Sequence, residues 1–120
     1  HPGITVDDII GIYDICKQIH KKEVYIIERG SNYLSRQDWQ RWSISLNEVL
    51  RIKHERHDIF NNLIVDCSHS SGRSDYVHDV YNAMKAIGVK HFMFECTIDG
   101  TSKTDADQII TTDELKRILC

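Results

Sequence analysis

Behind Thr5 and Asp8, which have the spacing of a capping box, Val6, Ile9, Ile10, Tyr13, Cys16 and Ile19 recur at helical intervals. They predict a first helix over about residues 6 to 20. The period then changes. Val24-Tyr25-Ile26-Ile27 is a short run rich in β-branched residues that ends at Glu28-Arg29-Gly30, as a buried strand does when it delivers charged residues to a loop. That loop is expected to continue to Trp42. Leu46, Val49, Leu50 and Ile52 suggest a second helix, and the polar stretch from His54 to Asn62 reads as a connection. Leu63-Ile64-Val65-Asp66 is the second strand, and the segment from Cys67 to Arg73 reads as the loop after it. Ser74 is placed to cap a third helix whose Val77, Val80, Tyr81, Met84 and Ile87 share one face, with Gly88 ending it in the left-handed region. His91 to Glu95 is the third strand. After a loop containing Gly100, Thr111 and Glu114 form a second capping box, opening a terminal helix with Leu115, Ile118 and Leu119 turned inward.

Strands that are continuous apolar runs, alternating with amphipathic helices, imply an α/β fold with parallel βα units and right-handed crossovers. About three strands and four helices are visible. The 120 residues make one domain, too short for a complete eight-stranded βα barrel of roughly 250 residues. Charge changes this picture little: 15 Lys and Arg against 18 Asp and Glu, with no long run of one sign, give no reason to expect nucleic acid or an anionic membrane as partner. No apolar stretch reaches membrane-span length and no signal-peptide pattern opens the chain, so a soluble, cytoplasmic protein is expected. Cys16, Cys67, Cys96 and Cys120 lack CxxC spacing, which favours reduced thiols over a zinc knuckle or disulfide framework. Cys16 reads as a small core residue.

In a parallel sheet the residues following each strand meet at one edge, where ligands bind in such folds. Arg29 follows the first strand, His69 the second, Glu95 closes the third, and Asp105 lies in the next loop. Taken singly, Arg29 could be a structural ion pair, Glu95 the partner of a lysine and Asp105 a turn cap. Together, His69, Glu95 and Asp105 are N and O donors suited to a divalent metal, and the Arg29 fork suits a phosphate or carboxylate.

Four segments in order carry a resemblance: Ile27-Glu28-Arg29-Gly30, Asp66-Cys67-Ser68-His69-Ser70-Ser71-Gly72-Arg73, Phe94-Glu95, and Thr104-Asp105-Ala106-Asp107-Gln108. Nearly the whole chain resembles the C-terminal half of 3-deoxy-D-arabino-heptulosonate 7-phosphate (DAHP) synthase, in the branch related to 3-deoxy-octulosonate 8-phosphate synthase. The resemblance implies part of a (β/α)8 barrel. The implied activity is condensation of phosphoenolpyruvate with erythrose 4-phosphate, the first step of the shikimate pathway to aromatic amino acids. It further implies His69, Glu95 and Asp105 as ligands of a divalent metal such as Mn²⁺, and Arg29 as the residue holding phosphoenolpyruvate.

The chain departs from that family at Cys67, where the family has Pro, at Thr97, where it has His, and at Arg41-Trp42-Ser43-Ile44-Ser45, where it has Arg-Asn-Thr-Leu-Asp. A further metal-binding Cys and a Lys-Pro-Arg-Thr-Ser motif belong to a half outside these residues. The expectation is therefore a partial barrel with weak or no metal binding and little condensation by itself, completed by further copies or by the missing half. Two other readings fit the same residues: a non-catalytic half-barrel binding a phosphorylated ligand, metal or partner chain, and a relative of the octulosonate or sialic acid synthase type.

Overall fold

The computed structural model describes residues 4–30, 43–101 and 106–120. The first helix, α1, spans Val6–His20, opened by a capping box in which Thr5 and Asp8 each bond the other's backbone N–H. Strand β1 covers Ile26–Glu28. The loop expected up to Trp42 falls outside the described residues. Helix α2, Leu46–Glu55, and the short α3, His57–Asn61, then replace the polar connection expected from His54 to Asn62. The reason is burial: Ile59 and Phe60 sit in the core, so this mostly polar stretch coils to turn two adjacent apolar residues inward. Arg56, at the junction, grips Asp14 of α1 with both terminal nitrogens, at 2.6 and 3.0 Å, and holds Asp58 as well.

Strand β2, Leu63–Asp66, is followed directly by a one-turn helix α4, Cys67–Ser71, where a loop was expected. Helix α5, Ser74–Ile87, has Arg73 in the N-cap place, so Ser74 is its first residue and not its cap. Gly88 ends it at φ +106°, a conformation L side chains resist. Strand β3 is shorter than expected, His91–Met93, leaving Glu95 just beyond it. Beyond Glu95, β4 (Cys96–Thr97) pairs in parallel with β5 (Ile110–Thr111), a second small ladder that the hydrophobic pattern had not signalled. Helix α6, Thr112–Leu119, opens on the expected Thr111 and Glu114 capping box. Leu115 and Ile118 pack against the core, whereas Leu119 is exposed. Six helices thus stand among the described residues where four were expected.

β1, β2 and β3 form a parallel sheet in that order. Register partners share a face. Glu28, Val65 and Phe92 lie on the side covered by helices, where Val49, Ile52, Val77 and Tyr81 complete the core and the Tyr81 ring meets Phe92 at 4.7 Å. Ile27, Ile64 and His91 lie on the other side. Among the described residues that side is only thinly covered: Ile27 is 52% exposed, and Tyr25, stacked edge-on to His91, is 47% exposed. Cys16 is half-buried, at the margin of the core and not within it.

Glu28 carries a titratable consequence of this placement. Burial pushes its carboxyl above the usual range, against the Gly30 N–H that donates to Oε1 at 2.6 Å, and Glu48 adds to the rise. A carboxyl whose pKa is raised on folding contributes stability that is complete below its unfolded pKa and is lost as pH rises through the folded one. Glu28→Gln keeps an acceptor for Gly30 and never charges. The variant's urea midpoint is therefore expected to match wild type near pH 4 and exceed it at pH 7.5; a gap that does not widen with pH would refute the assignment.

Candidate functional site at the carboxyl edge of the sheet

Asp66 closes β2 with its side chain fully buried, and three contacts converge on its carboxylate. Its Oδ1 accepts the His69 backbone N–H at 3.0 Å, capping α4. Its Oδ2 lies 2.7 Å from His69 Nδ1. This explains why Cys67–Ser71 is helical despite residue types with little helical preference: an Asp three positions ahead satisfies the orphan donor of the first turn. Ser70 and Ser71 hydroxyls donate back to the carbonyls of Asp66 and Ser68, tightening the turn.

The same contact sets the imidazole. Asp66 Oδ2 lies against Nδ1, which leaves Nε2 to face the site. Nε2 lies 3.3 Å from Glu95 Oε1. A carboxylate oxygen and an unprotonated ring nitrogen repel, so this approach calls for a proton or a cation between them. A carboxylate behind one nitrogen and an open second nitrogen is also the arrangement by which metal-binding histidines are oriented.

Arg29, exposed at the end of β1, brings Nε to 3.9 Å from Asp66 Oδ2, which leaves most of its fork turned to solvent. The sheet edge thus gathers three of the four residues expected from the sequence: Arg29, His69 and Glu95. Asp105 lies outside the described residues. Among the described residues no group of three His, Cys, Asp or Glu side chains is disposed to hold a metal ion. His69 Nε2 with Glu95 Oε1 is a mixed N/O donor pair that fits a divalent cation of borderline hardness as part of a set. Cys67 offers no further ligand: it is fully buried, and burial together with Asp66 pushes its thiol up to about 12.

Sequence reasoning assigned no role to Asp66, Ser68 or Gln108. Asp66 was detectable, since Asp-x-x-His at a strand end is both a capping spacing and a carboxylate within reach of the ring. Ser68 and Gln108 touch Glu95 from 27 and 13 residues away, and no local spacing reveals such contacts.

Parallel βα units with ligand-type side chains at the carboxyl ends of the strands define a segment of a (β/α)8 barrel, open here and not closed. The crystal structure of phospho-2-dehydro-3-deoxyheptonate aldolase (DAHP synthase) from Thermotoga maritima superposes on it with a TM-score of 0.82, at 20% identity, over 97% of this chain and 33% of that one. The chain therefore has the fold of a piece of DAHP synthase, and it spans about a third of that enzyme's length, not a half. No protein-family model and no curated protein matches the sequence. The fold also accounts for the thinly covered sheet face, because in a closed barrel Ile27, Ile64 and His91 would be packed in the interior. No helix among the described residues is long and apolar enough to cross a membrane.

Proposed function

We propose that this chain supplies part of the active site of a DAHP synthase-type aldolase, the enzyme that joins phosphoenolpyruvate to erythrose 4-phosphate at the head of the shikimate pathway. The observation that carries the reading is the His69 imidazole, fixed from behind by buried Asp66 and turned toward Glu95 at the edge where barrel enzymes do their chemistry. His69 and Glu95, with Asp105, would hold a divalent cation such as Mn²⁺. That cation, when bound, supplies Lewis acidity to the aldehyde oxygen of the sugar phosphate. Arg29 binds the phosphate or carboxylate of phosphoenolpyruvate through its planar fork, and Asp66 beside it restrains the guanidinium without neutralising it by a close ion pair.

Orientation of two substrates contributes much of such catalysis, and these residues cover a third of the enzyme they match. The chain alone is accordingly expected to bind and not to turn over. Its thinly covered sheet face is completed by the remaining βα units, or by a second copy of the chain, since exposed apolar sheet surface favours association.

Titration of the isotope-labelled chain with phosphoenolpyruvate and Mn²⁺ tests the reading by NMR. Phosphoenolpyruvate is expected to shift the amides of Gly30 and Gly72, and Mn²⁺, a paramagnetic ion, to broaden those of His69 and Glu95, with Arg29→Ala abolishing the response to phosphoenolpyruvate; phosphate release in the presence of erythrose 4-phosphate is expected to stay at background. Shifts confined to other surfaces, or unaffected by Arg29→Ala, would refute the ligand assignment. Rapid phosphate release would refute the claim that the site is partial.

A further inference from the structure

We infer that Gln108 is a positioning residue that divides the labour of the two Glu95 oxygens, an inference that rests on the reading of Glu95 as a cation donor. Gln108 ends a 3-10 turn, Ala106–Gln108, and is only 8% exposed. Its Nε2 donates to Glu95 Oε2 at 3.1 Å, while Oε1 lies 3.3 Å from His69 Nε2. One oxygen is thus engaged from behind and the other presented to the histidine.

The backbone of Glu95 is pinned to match. Its N–H donates to Ser68 Oγ at 2.8 Å, and Ser68 is fully buried in the same turn that carries His69. Its carbonyl accepts the Ile110 N–H at 3.2 Å, two residues beyond Gln108. The segments bearing His69, Glu95 and Gln108 are therefore tied to one another through Glu95, so the separation of the two donors is built in and not left to a free side chain.

The residue type is informative. A lysine or arginine at this place would also fix Oε2, but it would cancel the carboxylate charge that attracts a cation. A carboxamide donates a hydrogen bond and leaves that charge whole. Gln108 is the residue that orients Glu95 as a one-oxygen donor at full charge. Partners of this kind tune metal affinity by about 10- to 100-fold.

The test is Mn²⁺ alone, added to the full chain and followed through the electron paramagnetic resonance signal of the free ion, with thermal midpoints measured in parallel. Gln108→Leu is expected to weaken Mn²⁺ binding about tenfold with little change in midpoint. Gln108→Lys, which keeps a donor and cancels the charge, is expected to weaken it at least as much. Should the branched leucine prevent folding, Gln108→Met gives the same reading. Binding by Gln108→Leu within twofold of wild type, while His69→Ala has lost it, would overturn the role of Gln108 alone. Wild-type binding that is absent, or unchanged in His69→Ala, would overturn the metal reading and this inference together.

Discussion

Asp66→Ala is expected to lower the unfolding free energy by about 3 kcal/mol, more than a typical substitution, because it orphans two buried donors at once. The His69 N–H loses its cap and Nδ1–H loses a partner at 2.7 Å. An unsatisfied buried donor costs about 1–3 kcal/mol, and loss of an N-cap alone about 1. Asp66→Asn keeps one carbonyl oxygen for the first turn and is expected to cost about 1 kcal/mol. Its amide also offers a donor to Nδ1, which moves the ring proton to Nε2 and closes the nitrogen that faces Glu95. The asparagine variant should therefore be nearly stable yet poor at holding a cation. Urea unfolding with a constant slope measures the first effect; an alanine variant within 1 kcal/mol of wild type would show that Asp66 is not the hub described here.

His69→Ala is expected to reduce Mn²⁺ affinity by about 100-fold or more, beyond the loss caused by removing a supporting residue, since a donor itself is gone. Glu95→Gln should approach that effect while leaving the fold intact, because Glu95 is only half-buried and its backbone bonds to Ser68 and Ile110 remain. Calorimetric titration of both variants beside wild type measures the losses. Equal heats from wild type and His69→Ala would remove the cation from the account.

What the sequence disclosed follows the range of each interaction. The capping pairs Thr5 with Asp8 and Thr111 with Glu114 are three residues apart, so both helix starts were legible, and Gly88 marked a helix end that only a left-handed residue could close. The parallel sheet was legible because Leu63-Ile64-Val65 is a continuous apolar run set between helical patterns, as a strand of a parallel sheet is. The α3 turn was not, since Ile59 and Phe60 are outnumbered by polar neighbours, and their inward rotation is set by the core they join. Nor was α4, where a single buried carboxylate overrides the weak helical preference of Cys and Ser. At the site, strand order was enough to bring Arg29, His69 and Glu95 to one edge. The supporting groups escaped notice because Ser68 and Gln108 act on Glu95 across the fold.

The central claim is that His69 and Glu95 share a cation at this edge. Crystals of the chain soaked in Mn²⁺, measured for anomalous scattering at the manganese edge, test it most directly. The account predicts a single strong peak bonded to His69 Nε2 and Glu95 Oε1, with Nδ1 still on Asp66 and Gln108 still on Oε2. A map with no peak between those two atoms, or with manganese bound only elsewhere on the surface, would contradict it.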